Sequence, residues 1–220
     1  MKIKTGKLYA ILTGDIVNSS KLSPDKRQKL HYVMKDGSKA VRRAFEKDVP
    51  LDVDIFRGDS WQMLVFNPAK SLRIGLFYRA FLRAEMQSSN VDTRMSIAVG
   101  TIEFVPDDRV SGGDGQAYQY SGNALEKMMK ASYMRFSLPG KEAEESLNII
   151  VELVDALAKR WRDKQALAIT GALQGWKQKT IGDLWEPPIA QQTVGRHLGR
   201  AGWYVLEKAI KFFEYSLQRL

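Results

Sequence analysis

Two aspartates lie where a metal-dependent reaction could take place. Asp15 follows the apolar run 8–12, and Asp59 lies in the turn between two alternating runs, 51–55 and 63–65. If those runs pair beside the first strand, both carboxylates emerge at one edge of a sheet. Neighbouring carboxylates repel each other unless a cation or a proton lies between them. The pair therefore predicts a Mg²⁺ or Mn²⁺ site of the kind used in phosphoryl transfer. The alternative is an ordinary turn role for each residue.

A second group of chemically active side chains lies near the C-terminus. Residues 180–185 and 189–202 predict two helices, separated by the prolines of 186–188. Helical spacing turns Val194, Leu198 and Ala201 toward the core. Six polar residues are then predicted to face outward: Gln191, Gln192, Thr193, Arg196, His197 and Arg200. Glutamine and arginine read adenine and guanine in the major groove. This face therefore predicts a DNA interface, with a solvated helix of an all-α dimerisation module as the alternative.

The elements that must position the two aspartates alternate between strands and helices. Ser23, Pro24 and Asp25 are typical of a helix start and introduce a predicted helix of about six turns. A second helix is predicted to end at 88–90, and further strands are predicted near 95–99 and 133–138. The order β-α-ββ-α-β-α-β predicts an α+β fold, in which an antiparallel-containing sheet carries helices on one side.

No strand pattern remains after Gly140, which predicts a boundary near 139–141. The two predicted domains are therefore 1–139, with the sheet, and 141–220, which is small and all-α. The final predicted helix carries an apolar stripe, which is expected either to pack on the rest of the chain or to form a homodimer seam: Val205, Ile210, Phe213 and Leu217.

Composition restricts the classes of protein and of partner. The chain has 220 residues, no cysteine and a net charge of +9. The absence of cysteine excludes a disulfide framework, a thiolate zinc site and a cysteine nucleophile. The positive charge favours nucleic acid or phosphate-bearing partners. No apolar run approaches the roughly 20 residues that span a bilayer, and the first residues lack the apolar centre of a signal peptide. A cytoplasmic protein without a membrane partner is expected.

Four segments resemble, in order, the motifs of class III nucleotidyl cyclases. They are Leu12–Ser19, Phe56–Gln62, Arg94–Gly100 and Gly113–Gly115. The chain most resembles the SatD family, which couples such a domain to a C-terminal helical region. The resemblance implies a ferredoxin-like palm, with Asp15, Asp59 and the backbone carbonyl of Ile16 as metal ligands. It also implies a nucleoside triphosphate or cyclic nucleotide as partner, and a head-to-tail homodimer.

The resemblance fails at the catalytic helix. Cyclases carry an asparagine and an arginine there, and the corresponding places are Ala117 and Ser121. Asn123 and Lys127 offer an amide and a cation four residues apart, so they are predicted nucleotide-binding residues. Asp114 is predicted to contact a base, with a helix-capping role as the alternative. No catalytic residue is assigned.

Residues 160–218 resemble the helix-turn-helix of sigma-factor and LuxR-type domains, in which Gln-x-Thr-Val-x-x-x-Leu recurs in the recognition helix. Gln191 to Leu198 matches that pattern. Three functions stay open. The preferred one is a DNA-binding transcription regulator whose palm binds a nucleotide or a metal, or only dimerises. The others are a nucleotidyl cyclase or related phosphoryl-transfer enzyme, and an inactive adaptor.

Overall fold

The computed structural model describes residues 3–87 and 91–219, and a five-stranded sheet lies at its centre. The strands are β1 (Leu8–Val17), β2 (Asp54–Phe56), β3 (Ser60–Val65), β4 (Asp92–Thr101) and β5 (Met134–Ser137). Their order is β2-β3-β1-β4-β5, with β1 antiparallel to both of its neighbours and β5 parallel to β4. The predicted α+β class is confirmed. The predicted helix end at 88–90 and the chain ends at Met1, Lys2 and Leu220 lie outside the described residues.

Eight helices are found among the described residues. They are α1 (Pro24–Ala44), α2 (Ser71–Glu85), α3 (Gln116–Glu126), α4 (Lys141–Ala158), α5 (Asp163–Leu173), α6 (Gln178–Gly182), α7 (Gln191–Arg200) and α8 (Trp203–Gln218). Helix α1 begins where its sequence predicts, with Ser23 at the N-cap and Pro24 in the first turn. Within the described ranges, no helix combines the length and the hydropathy needed to cross a bilayer.

The sheet is covered on both faces, because β1 is apolar on both. Ala10 and Leu12 point into the core beneath α1 and α2. Tyr9 and Ile11 point the other way, into a second cluster that includes Ala117 of α3. Successive side chains of a strand alternate between faces, so a strand that is apolar throughout needs a layer on each side. The expectation of helices on one side is corrected accordingly: α3 covers the opposite face.

The C-terminal helices share the core of the sheet. Helix α5 packs on α2, and α4 packs on β5. The stripe predicted on the last helix is part of this packing: Ile210 and Phe213 are fully buried, and the Phe213 ring meets Phe136 of β5 edge-on at 5.0 Å. Only Val205 of that stripe is exposed. The stripe therefore serves internal packing, while the division into two domains stays a prediction.

A buried arginine joins the two parts of the chain. Arg79 of α2 is fully buried and donates to both carboxylate oxygens of Asp92, each at 2.7 Å, and to Asp155 of α4 at 2.8 Å. Burial alone would lower the pKa of Arg79, but the two carboxylates outweigh it, and the pKa is raised. Arg83 adds a bond to Asp92 at 2.6 Å and another to the carbonyl of Trp161.

Replacing Arg79 with alanine should destabilise the protein by about 3–5 kcal/mol, because two buried carboxylates would lose their shared buried cation and each keep only one partly exposed cationic partner, Arg83 or Lys159. The matched control is Arg42→Ala, since Arg42 pairs with Asp52 at 3.2 Å on the surface. An exposed pair of that kind contributes only about 0–1 kcal/mol. Urea denaturation measures both changes. We expect one unfolding transition for the wild type, and equal losses for the two variants would contradict the structural role of Arg79.

Candidate functional site

The end of β1 forms one side of an open cleft. In the antiparallel register, Asp15 lies opposite Ser60 of β3 and opposite Arg94 of β4. The backbone N–H of Ile16 donates to the carbonyl of Asp59 at 3.1 Å. Asp15 and Asp59 thus reach the same edge of the sheet, although β1 continues two residues past Asp15. Both line a cleft of about 550 Å³.

The cleft carries as many cations as carboxylates. Besides the two aspartates, its lining includes Arg94 and Lys130, the ring of Tyr133 and the polar residues Asn18, Ser19, Ser20 and Ser60. Sequence reasoning did not single out Arg94, Lys130 or Tyr133. Arg94 could have been found from the register, because antiparallel pairing places it directly across from Asp15.

The carboxylate of Asp15 forms an ion pair with Arg94. Arg94 donates to its two oxygens at 3.0 and 2.6 Å, and both side chains are about three-quarters shielded from solvent. The hydrogen bond to Asp15 raises the pKa of Arg94. Bidentate pairs of this kind fix geometry as well as charge. Asp15 is therefore already neutralised by a group of the protein itself.

Asp59 is held by a different partner. The hydroxyl of Ser19 donates to its carboxylate at 2.5 Å. The turn before Asp59 has a positive φ at Arg57 (52°) and at Gly58 (87°), as tight hairpin turns require. Asp59 is thus positioned by a short turn, and its hydrogen bond with Ser19 fixes its carboxylate.

These contacts bear on the expected metal. A magnesium site needs carboxylate oxygens that are free to bind the ion. Here both oxygens of Asp15 accept from Arg94, and Asp59 accepts from Ser19. The residues as arranged do not fit a two-carboxylate metal site. Metal binding by Asp15, Asp59 and Ile16 stays a prediction, and it would require Arg94 to leave Asp15.

The inner face of α3 is closed against the sheet. Ala117 and Ser121 are fully buried, and the Ser121 hydroxyl lies 2.8 Å from the hydroxyl of Thr13. Asn123 and Lys127 are exposed and are not part of the cleft lining. The lysine that reaches the cleft is Lys130, three residues further on.

Asp114 lies at the opposite end of the sheet from the cleft. Its carboxylate accepts from the N–H of Gly115 at 2.7 Å, and its backbone pairs with Phe104 beyond the end of β4. Arg94 lies at the start of the same strand, and eight strand residues span roughly 26 Å. The structure therefore gives Asp114 a role in the loop and does not bring it to Asp15.

Helices α5, α6 and α7 pack together as a three-helix unit. As predicted, α7 buries Val194 and Leu198, and Ala201 is buried just after it. Four of the six residues predicted to face outward are exposed, namely Gln191, Gln192, Arg196 and Arg200. Thr193 and His197 are half-buried, and Thr193 accepts a bond from Arg196 at 3.0 Å.

The turn between α6 and α7 depends on Gly182. A Cβ at this position would lie 2.4 Å from the carbonyl oxygen of Ile189, so only glycine allows the turn to approach this closely. The N–H of Ile189 also donates to the carbonyl of Gly182 at 3.1 Å. This contact closes the loop over 183–190 and fixes where α7 begins.

A basic cavity of about 520 Å³ lies at the C-terminal end of α7. His197 and Arg200 of α7 line it together with residues at the start of α5: Arg162, Asp163, Lys164 and Gln165. The His197 ring stacks on Trp185 at 5.6 Å. Burial and the nearby charges of Lys164, Arg200 and Arg196 lower the pKa of His197. The sequence did not predict that α5 contributes to this cavity, because the start of α5 lies about 30 residues before His197.

Comparison with known proteins finds similarity among solved structures, of which 19 chains match. No protein-family model and no curated protein matches the chain. Among solved structures, the guanylyl cyclase Cya2 is similar, with a TM-score of 0.41 and 12% sequence identity over 59% of this chain and 74% of that chain. This guanylyl cyclase, which has a class III nucleotidyl cyclase-like fold, is thus a weak structural neighbour of the chain. Any functional proposal must therefore rest on the geometry of this chain.

Removing Arg94 should create a cation site. In Arg94→Ser, Asp15 would lose its fixed counter-charge, and its carboxylate and that of Asp59 at the same edge of the sheet would attract a divalent ion. We expect Mn²⁺ to bind this variant at least about tenfold more tightly than it binds the wild type, a change of ~1.4 kcal/mol, as measured by electron paramagnetic resonance. The control is Arg43→Ser, which removes an exposed arginine of α1. Tight Mn²⁺ binding by the wild type would contradict this interpretation of Arg94.

His197 should titrate below its ordinary pKa of 6.5, because burial and neighbouring cations disfavour its charged form. The contribution of His197 to the free energy of unfolding is therefore highest above pH 6.5, where His197 is neutral in both the folded and the unfolded chain. It decreases as the pH falls through the lower pKa of the folded state, because the unfolded chain binds the proton more readily. Proton NMR titration measures this pKa. Arg200→Gln should raise it, and an unchanged value would show that Arg200 does not act on His197.

Proposed function

We propose that this protein is a DNA-binding regulator that contacts duplex DNA through α7. The observation that carries the proposal is the exposed face of α7, which presents Gln191, Gln192, Arg196 and Arg200. No acidic residue occurs in Gln191–Arg200. Buried Val194 and Leu198 fix that face toward solvent. An α-helix fits the major groove, where arginine and glutamine form bidentate contacts with guanine and adenine.

Cations around α7 support the same proposal. Arg162 and Lys164 flank its C-terminal end, and Lys177 and Lys179 are exposed at the start of α6. Contacts to phosphates position a protein on DNA without reading its sequence. A recognition helix with basic flanks is also expected from the sigma-factor and LuxR-type helix-turn-helix, which the sequence of this segment resembles.

A second candidate function concerns the cleft at Asp15, which we propose to bind the phosphate of a nucleoside triphosphate or a cyclic nucleotide. The open cleft carries Arg94 and Lys130 beside hydroxyl and amide groups. These are groups that bind phosphate oxygens. A SatD-like regulator would then combine a nucleotide-binding palm with a DNA-binding unit. An inactive adaptor is less well supported, since its cleft would be expected to be filled and apolar.

The geometry does not favour the alternative of a nucleotidyl cyclase. The places where cyclases carry catalytic side chains are taken by Ala117 and Ser121, both fully buried. Neither can reach a reacting phosphate to stabilise developing charge. If a divalent ion binds after Arg94 moves away, Asp15, Asp59 and the Ile16 carbonyl would hold it and it would supply charge to a bound phosphate.

DNA binding can be measured by fluorescence anisotropy with a pool of random-sequence duplexes at several salt concentrations. Affinity should fall steeply with salt, by a slope of about −0.9 for each phosphate contacted. Sequence selection followed by binding to the enriched site tests base contact. There, Arg196→Ala should weaken binding by about 1–3 kcal/mol and relax the preference at one base pair.

The matched control is Arg43→Ala, which removes an exposed arginine on the distant helix α1. It should leave affinity and preference unchanged. The double variant Lys177→Gln/Lys179→Gln should reduce the salt slope but leave the preferred sequence the same. Equal affinities of wild type and Arg196→Ala for every duplex at low salt would refute the DNA-binding proposal.

A further inference from the structure

Two neighbouring helices expose large apolar side chains that do not line the cleft. Ile149 and Leu153 of α4 are 60% and 61% exposed, and Val205 and Phe212 of α8 are 66% and 52% exposed. We call these four residues the α4–α8 face. Scattered apolar residues on a surface are normal, whereas a contiguous group of large ones marks an interaction surface.

The two helices lie side by side and antiparallel. Near the end of α4, Leu157 packs against Gly202, where a Cβ would be 3.3 Å from it. In the middle of α4, Asn148 bonds to the backbone of Phe136, whose ring contacts Phe213 in the second half of α8. Going back along α4 from Leu157 to Asn148 therefore corresponds to going forward along α8, as in an antiparallel pair.

The exposed residues lie on the sides of these helices that flank their shared groove. Leu153 is one turn before Leu157, the residue that contacts the start of α8. On α8, Val205, Ala209 and Phe212 follow a spacing of four and three residues, so they share one stripe. Ala209 is half-buried and packs on the core. Ile149 and Leu153 are also four residues apart, so each helix contributes one exposed apolar stripe beside the shared groove.

The charges on this face are divided between the two helices. Among the residues of α4 whose side chains are described, the exposed charged ones are acidic: Glu142, Glu145 and Glu152. The exposed Arg160 follows the helix. The exposed charged residues on and just after α8 are basic: Lys208, Lys211 and Arg219. The half-buried Glu207 pairs with Lys211 at 2.8 Å. Asp155 and Glu214, on the same helices, are buried and bind Arg79 and Arg73 internally.

We propose that a second copy of this chain docks on the α4–α8 face. A two-fold axis would place α4 of each copy on α8 of the other, as an isologous interface requires. The apolar side chains then pack at the centre, and the acids of one helix meet the bases of the other. A face about 25 Å long and two helices wide covers roughly 500 Å² per copy in projection. The total of about 1,000 Å² is at the lower limit for a specific interface.

This dimer does not use the outward face of α7 or the cleft at Asp15, so it does not depend on the function proposed above. It also differs from the head-to-tail palm dimer implied by the cyclase resemblance. The two arrangements can be separated by substitutions on α4 and α8 alone.

Sedimentation equilibrium tests the proposal directly. The wild type should have the mass of two chains at about 50 µM, a concentration at which a small specific interface is populated. Phe212→Glu and Leu153→Glu should each weaken association at least about tenfold, because each places a charge in the apolar centre. Tyr32→Glu, which alters a 58% exposed aromatic on α1, should have no effect.

A charge-reversal pair makes the test specific for a second copy. Glu145→Lys/Glu152→Lys makes both helices of the face basic, and Lys208→Glu/Lys211→Glu makes both acidic. Each variant alone should fail to self-associate, and an equimolar mixture should form a mixed dimer. A monomeric wild type, unchanged self-association of the variants, or a mixture that stays monomeric would overturn the proposal. DNA binding is measured separately, so its loss or retention does not enter this result.

Discussion

The structure depends on one buried cation, Arg79, held between Asp92 of β4 and Asp155 of α4. Leaving any of these charges unpaired in the core would cost several kcal/mol, so the three groups have to stay together. The contact joins the helix beneath the sheet, the strand beside β1 and the first helix after the sheet. A second tie has the same character: Glu214 of α8 accepts from Arg73 at 2.6 Å and from Lys70 at 3.1 Å. Burial acts to raise the pKa of Glu214, but these two cations outweigh it and the pKa is lowered.

The Arg79 network also reaches the cleft. The second oxygen of Asp155 accepts from the backbone N–H of Tyr133 at 2.8 Å, and Tyr133 lines the cleft beside Arg94. Lys159 lies over the Tyr133 ring and pairs with Asp155. The position of α4 and the shape of the cleft wall are therefore set by the same carboxylate. This is a physical connection between the sheet and the C-terminal helices.

The two candidate sites are built in different ways. At the cleft, each acid already has a partner, Arg94 for Asp15 and Ser19 for Asp59, so the site is close to neutral and shaped in advance. On α7, the long side chains of Arg196 and Arg200 extend into solvent with few fixed contacts. Charged groups that are already held in fixed positions, as in the cleft, suit a small ligand that must fit a defined space. Exposed, adaptable cations suit an extended polyanion, whose affinity comes largely from released counterions.

What the sequence by itself determined was local. The α+β order of elements, the start of α1 at Ser23 and Pro24, and the inward side of α7 all follow from periodicity and capping, which act over a few residues. The tertiary structure decided the rest, because those features depend on strand register and on packing between distant segments. Register placed Arg94 against Asp15 and changed the character of the expected metal site. Packing placed α3 on the second face of the sheet and buried Ser121 of that helix against β1. It also turned Ile210 and Phe213 inward. It left Ile149, Leu153, Val205 and Phe212 exposed, because a helix that packs on one side must leave the other side free.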